Sequence, residues 1–268
     1  MDNLIILAGN GKLPVNIIDS LKNKNYFVLI ISNSGWDKKL ERKNFKIVKL
    51  GSVITELLKL KKYGFHNIVL AGALTRPTIL EIRPDFNTLK FLPKFAKVLL
   101  DGGDNKLLTS VILELEKFNF KVLSIKDILP ELFLGKGVLS NYKPCNITNK
   151  DIKRGQLILK TLSNLDVGQS LIIQEGNILG IEAIEGTDSL IKRVKKYIKK
   201  GVKPTLVKLL KENQDLRADL PTIGIKTVHL CSKFGIGGIA YSSNKTIFIN
   251  HKKLINEINK NKLFLLGL

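Results

Sequence analysis

At 268 residues the chain is long enough to bury a sizeable core, and its length favours two domains over one. With 44% hydrophobic and 25% charged residues the composition is that of an ordinary globular protein, but the formal charge of +21 is not ordinary and invites a nucleic-acid partner. Only six of the 44 basic residues are arginines (Arg42, Arg76, Arg83, Arg154, Arg193 and Arg217) and the lysines are spread along the whole length, whereas base-edge and phosphate forks use arginine, so nucleic acid is set aside as a partner.

The N-terminus carries Asp2 where a secretion signal carries base, and no apolar run approaches the roughly 20 residues of a membrane helix. Cys145 and Cys231 form neither a metal-type pair nor a disulfide framework, which fits a reducing cytosol. The expectation is a protein that stays inside the cell, soluble or loosely attached to a membrane face, with a diffuse positive field that attracts anionic lipid and anionic substrates.

Residues 4–8 read as a strand, followed by Gly9-Asn10-Gly11-Lys12-Leu13-Pro14 and a helical pattern over 15–21 with Pro14 at its first position. Strand, glycine loop and helix offer backbone N–H groups and a helix N-terminus to a phosphate or nucleotide; the same residues also fit a plain tight turn. A dinucleotide fingerprint is absent, because Pro14 stands where the third glycine belongs and no acid follows the next strand, 27–32. Strands at 45–49 and 66–71 around a helix at 53–62 predict a parallel sheet with helices on its faces. The loop Gly72-Ala73-Leu74-Thr75-Arg76-Pro77 follows a strand end, where ligands bind in such sheets, and carries a scarce arginine; capping a helix is its other use.

Two helical patterns over 85–118 are broken by Asp101-Gly102-Gly103-Asp104, read as a C-cap and a new N-cap, and 121–125 is a strand. Residues 135–149 are rich in turn formers and read as a linker. The division is thus a Rossmann-like α/β domain over 1–134 and an α+β domain of mixed sheet and helices over 150–268.

The second half opens with a helix at 150–162, then a hairpin of strands 169–174 and 178–183 around Glu175-Gly176-Asn177. Glu182 alternates away from Ile181 and Ala183, offering a carboxylate on one face. Thr187 or Asp188 caps a basic amphipathic helix whose lysines form a solvated face, with a membrane-facing patch as the alternative. A strand at 205–210 with Lys208 in it, strands at 223–230, 234–241 and 246–250, and a helix at 252–261 complete the chain. The histidines His66, His229 and His251 do not cluster. Between the strands at 205–210 and 223–230 lies a polar stretch in apolar surroundings, Asn213-Gln214-Asp215-Leu216-Arg217-Ala218-Asp219-Leu220-Pro221. Two carboxylates four apart with a guanidinium midway can hold a hard cation and an anionic group in one volume, or form a solvated turn with an ion pair. Carboxylates without His or Cys partners suit Mg²⁺ or Mn²⁺, and such an ion with Arg, Lys and a glycine loop is equipment for phosphoryl chemistry.

Gly9-x-Gly11-x-Leu13-Pro14, Leu74-Thr75-Arg76-Pro77, Glu182 through Asp188, and Lys208 with Gln214 through Gly224 occur in the order and spacing of one family. On these motifs, which span nearly the whole chain, it resembles the UDP-2,3-diacylglucosamine pyrophosphatases of lipid A synthesis, the Mg²⁺-dependent alpha-proteobacterial type, with Asn10 standing where that motif has glycine. The resemblance implies hydrolysis of the pyrophosphate by water attack on the α-phosphorus, giving UMP and 2,3-diacylglucosamine 1-phosphate. It places the essential aspartate at Asp215 or Asp219. The expected roles are Asp215, Asp219 and Arg217 in catalysis, with Mg²⁺ held by Asp215 and Asp219 and completed by Glu182 or Asp188. Substrate contacts are expected from Gly9, Asn10, Gly11, Leu13, Pro14, Thr75, Arg76, Gly186, Thr187, Asp188, Lys208 and Gln214. The partner is a UDP-linked diacylated glucosamine; peripheral contact with the inner membrane face and a homodimer are compatible with it. A nicotinamide-dependent oxidoreductase is the alternative that the first strand-loop-helix suggests.

Overall fold

The computed structural model describes every residue except 1–2, 22–23, 43, 75–77, 79–81, 90–103, 213 and 218–219. It forms two compact units, Met1–Pro130 with Asp215–Asp219, and Glu131–Gln214 with Leu220–Leu268.

In the first unit β1 (Leu4–Ala8) is an unbroken apolar run and is buried throughout, as a central parallel strand requires. It is followed by α1 (Leu13–Ser20), β2 (Tyr26–Ile31), β3 (Phe45–Val48), α2 (Val53–Lys62), β4 (Asn67–Ala71), α3 (Asp104–Lys117) and β5 (Lys121–Leu123). The five strands are parallel in the order β3-β2-β1-β4-β5. Ile5, Leu7, Leu29, Ile31 and Ile68 line one face of the sheet and pack against Val53, Leu57 and Leu60 of α2 and Ile112 and Leu115 of α3. Because the chain winds outward from β1 and then crosses back to β4, the order reverses between these two strands. In open α/β sheets the crevice at the carboxyl ends of such a pair is where ligands bind. The loops that begin at Gly9 and Gly72 leave the sheet there.

The second unit contains β6 (Gly137–Val138), α4 (Asn146–Ser163), β7 (Ser170–Gln174), β8 (Asn177–Ile181), α5 (Thr187–Val194), β9 (Thr205–Lys208), β10 (Thr222–Ile223), α6 (Ile225–Lys233), β11 (Gly238–Tyr241), β12 (Ile247–Phe248), α7 (His251–Lys260) and β13 (Phe264–Gly267). Its main sheet has the order β6-β13-β11-β9-β7-β8, parallel over β13, β11 and β9 and antiparallel outside them. Alternation along each strand gives the sheet two apolar faces. Leu171, Ile173, Val207 and Ala240 meet Ile152 and Leu159 of α4. Ile172, Leu206, Ile239 and Leu265 meet Leu190, Ile191 and Val194 of α5 and residues of α6 and α7.

The expected mixed α/β class and parallel first sheet are the observed ones. Several expected elements differ. The strand expected over 223–230 is a two-residue strand, Thr222–Ile223, that turns at Gly224 into α6. Thr227, Val228 and Cys231 are buried at helical spacing, and a short apolar run does not distinguish the two states by itself. Strand 234–241 begins only at Gly238, since Gly235 at φ 79° makes a turn that β structure cannot contain. Strand 246–250 contracts to Ile247–Phe248, and Asn250 at φ 55° ends it. The segment expected as a linker holds β6, paired antiparallel with β13, and the first turn of α4. The strand β13 was not expected, although Leu263-Phe264-Leu265-Leu266 is a short apolar run of strand length. The hairpin turn is Glu175-Gly176, both at positive φ as a type I′ turn needs, and buried Asp151 accepts the N–H groups of Glu175 and Gly176 at 2.7 and 2.6 Å.

Candidate active site

In the first unit the two loops at the switch point are tied together. Asn10 N–H donates to Ala73 O and Ala73 N–H to Asn10 O, each at 2.8 Å. A Cβ on Gly9 would lie 2.4 Å from Ala73 O, so the first glycine is required by the approach of the second loop. Gly11 differs: it sits at φ 107° with open space beyond it. Of the expected substrate contacts, Leu13 and Pro14 instead begin α1 and are buried in its inner face, with Pro14 at the second helical position where its missing N–H costs nothing. Thr75 and Arg76 lie outside the described residues.

The segment Asp215–Asp219 belongs to this unit. Asp215 Oδ1 accepts the backbone N–H of Arg217 at 2.9 Å, an Asx turn that closes the loop on itself. The guanidinium then forks onto the same carboxylate: Nε donates to Oδ1 at 2.9 Å and Nη2 to Oδ2 at 2.7 Å. The hydrogen bonds from Arg217, stronger here than the opposing effect of burial, hold the Asp215 carboxyl below the usual carboxylate range, and the pairing raises the Arg217 pKa in turn. Arg217 Nη1 also donates to Glu116 on α3, a partner with no sequence signal beyond an acid on a helix. Gln214 is buried and its Oε1 accepts the N–H of Lys211 at 3.1 Å, closing the turn before the motif. Asp219 lies outside the described residues.

In the second unit a row of polar side chains crosses the sheet where an apolar face would otherwise continue. Ser170 pairs with Lys208 across β7 and β9, and the N–H of Glu182 donates to Ser170 O at 2.8 Å, so Glu182, Ser170 and Lys208 stand in one cross-strand row. Lys208 is the last residue of β9, at the carboxyl end of the parallel strands. Thr187, in the first turn of α5, sits on this row. Its Oγ1 donates to Glu182 Oε1 at 2.9 Å, receives Lys208 Nζ at 2.7 Å and lies 3.3 Å from Ser170 Oγ. All four residues are at most 8% exposed. Ser170 escaped the sequence analysis; its signal is a hydroxyl opening the otherwise apolar Ser170-Leu171-Ile172-Ile173, in register with a lysine.

Gly186 precedes Thr187 at φ 76°, a left-handed backbone that favours glycine, and caps α5. Asp188 does not join the row. Its Oδ1 accepts from Thr227 Oγ1 at 2.9 Å and its Oδ2 pairs with Lys226 Nζ at 3.0 Å, which ties α5 to α6.

These contacts test the fit of a hard divalent cation. Asp215 spends both oxygens on Arg217, and Asp188 spends its own on Thr227 and Lys226. Glu182 Oε2 is buried and has no hydrogen-bond partner among the described residues. A buried carboxylate oxygen left open costs free energy unless something occupies it, and Mg²⁺ takes one or two carboxylates with water and phosphate oxygens completing its shell. Glu182 therefore fits as a ligand, Asp188 fits poorly, and Asp215 fits only by exchanging its arginine. Among the described residues no three His, Cys, Asp or Glu side chains come together as a metal cluster.

Sequence models of two known domains match the chain, the LpxI N-terminal domain over residues 3–132 and the LpxI C-terminal domain over residues 135–266. The UDP-2,3-diacylglucosamine pyrophosphatase LpxI of Caulobacter vibrioides is 30% identical over 277 aligned positions, which cover all of this chain and 98% of that protein. With both halves matched in order and a relative aligned end to end, the chain belongs to the LpxI family.

Proposed function

We propose that this protein hydrolyses the pyrophosphate bond of UDP-2,3-diacylglucosamine, releasing UMP and 2,3-diacylglucosamine 1-phosphate, a step of lipid A synthesis. The observation that carries this is the full-length relationship to a protein named for that activity. The two conformationally fixed cations, Lys208 on Thr187 and Arg217 on Asp215, are what the chemistry asks of the chain itself. An oxidoreductase is not favoured by the family.

Water adds to the α-phosphorus as the bond to the bridging oxygen breaks, and the sugar phosphate departs with that oxygen. Negative charge then grows on phosphate oxygens, and donors fixed in advance stabilise it, each worth on the order of 3 kcal/mol when removed. Lys208 and Arg217 have these roles, and Asp215 holds Arg217 in place. Mg²⁺ or Mn²⁺, when bound, neutralises phosphate charge. Asp219 is its proposed ligand, with Asp215 joining it by giving up the guanidinium. The loop at Gly9, Asn10 and Gly11 is the proposed nucleotide contact, with Thr75 and Arg76.

Among the described residues no helix is long and apolar enough to cross a membrane. A cytoplasmic enzyme in peripheral contact with the inner membrane face is part of the proposal, and sedimentation of the purified protein decides between monomer and homodimer. The activity itself is tested by incubating the protein with UDP-2,3-diacylglucosamine and Mg²⁺. Release of UMP that stops with EDTA and in Asp219→Ala is expected. Full release with either change overturns the assigned metal role, and no release under any divalent ion overturns the function.

A further inference from the structure

We infer that two adjoining loops of the second unit form a docking edge that inserts aliphatic side chains into an anionic lipid bilayer. Leu165 and Val167, between α4 and β7, are 71% and 41% exposed, and Ile184, between β8 and α5, is 104% exposed. The loops touch through their backbones: a Cβ on Gly168 would lie 1.9 Å from Glu182 O. Val167 precedes Gly168 and Ile184 follows Glu182 by two residues, which keeps these side chains in one neighbourhood. Single exposed aliphatics are common on any surface, but three on two touching loops form an apolar tip that water disfavours.

The charges around the tip suit an anionic surface. Four carboxylates of these loops and their neighbours are each paired with a base, Asp166 with Lys211 at 2.7 Å, Glu185 with Arg193 at 2.6 Å, Asp188 with Lys226 at 3.0 Å and Glu212 with Lys160 at 3.2 Å, and Glu182 is buried away from the surface. Exposed acids that would be repelled by lipid phosphate are thus compensated, while the chain as a whole carries +21. Apolar insertion together with electrostatic attraction is the pairing that holds a peripheral protein on a membrane. The loop bearing Ile184 also bears Glu182, Gly186 and Thr187. Docking by this edge therefore brings that site to the surface from which an acylated substrate is drawn, a consequence that rests on the proposed function; the docking itself does not.

The test is co-sedimentation of the full chain with vesicles of phosphatidylethanolamine and phosphatidylglycerol, without nucleotide substrate, against vesicles of phosphatidylcholine. The chain is expected to sediment with the anionic vesicles. The exposed triple variant Leu165→Asn, Val167→Thr, Ile184→Asn, with an unchanged circular dichroism spectrum, is expected to bind them about tenfold more weakly or worse, at unchanged turnover of detergent-dispersed substrate. In a Trp36→Phe background, Ile184→Trp is expected to shift its emission to the blue on those vesicles. Equal binding by the triple variant, or no emission shift, overturns the docking edge. So does unchanged vesicle binding with a raised KM for detergent-dispersed substrate, which would assign the tip to the substrate's acyl chains, or a dimer in the wild type that the triple variant dissolves, which would assign it to a second copy. Loss of hydrolysis with vesicle binding intact would count against the proposed function alone.

Discussion

Thr187 Oγ1 uses all the hydrogen bonding a hydroxyl has, one proton given to Glu182 and two lone pairs offered to Lys208 and Ser170. Removing it leaves a buried ammonium and a buried carboxylate short of a partner. Thr187→Val is therefore expected to lose roughly 1–3 kcal/mol in urea unfolding and at least about tenfold in kcat, with Thr187→Ser recovering most of both. Ser170→Ala removes one of the hydroxyl's partners and should lower kcat by a smaller factor without moving KM. The Asp215 to Arg217 fork has a pH signature. Asp215 has a folded-state pKa below its unfolded value, so its stabilising effect is complete above the unfolded pKa of about 4 and disappears as pH falls through the depressed value. Wild-type stability should thus fall below about pH 4 more steeply than that of Asp215→Asn, as read by acid unfolding curves of the two proteins. Parallel curves would remove the fork as a stabilising contact.

At the level of elements, the switch-point loops explain why glycine opens the chain's first motif. In Gly9→Ala the new methyl would meet the backbone of Ala73, which cannot swing aside, and the cost should be about 1–3 kcal/mol. Gly11→Ala has open space and is expected to cost about 1–2 kcal/mol from its left-handed backbone alone. Denaturant unfolding followed by Trp36, the only tryptophan, ranks the two. These loops also show what the sequence made legible. β1 through β4 and α2 are visible as apolar runs separated by helical spacing, because a buried parallel strand needs no alternation. Residues 223–230 misled because a short stretch of interspersed apolar residues does not by itself distinguish a strand from a helix that starts at a glycine. β6 and β13 were missed because two- and four-residue strands take their stability from their neighbours in the sheet, not from a pattern of their own. In the candidate site, Glu182 was visible as a carboxylate alternating out of an apolar strand and Lys208 as a charge within another, while Thr187 was expected as a helix cap and, from the resemblance, a substrate contact. That one hydroxyl joins them follows from strand register, which the spacing of residues 182, 187 and 208 does not reveal.

For the whole molecule, a charge of +21 on a chain proposed to act on a diphosphate should speed encounter more than it tightens any one contact. The kcat/KM for the UDP-linked substrate in detergent is expected to fall several-fold as the Debye length shrinks from about 30 Å at 0.01 M salt to about 8 Å at 0.15 M, with kcat little changed. Equal losses in kcat would place the salt effect on chemistry instead of encounter. The proposed function turns on one event, the addition of water to the α-phosphorus. The most direct measurement is single-turnover hydrolysis of UDP-2,3-diacylglucosamine in H₂¹⁸O, with both products examined by mass spectrometry. The account predicts one labelled oxygen in UMP and none in 2,3-diacylglucosamine 1-phosphate, and label in the sugar phosphate would contradict it.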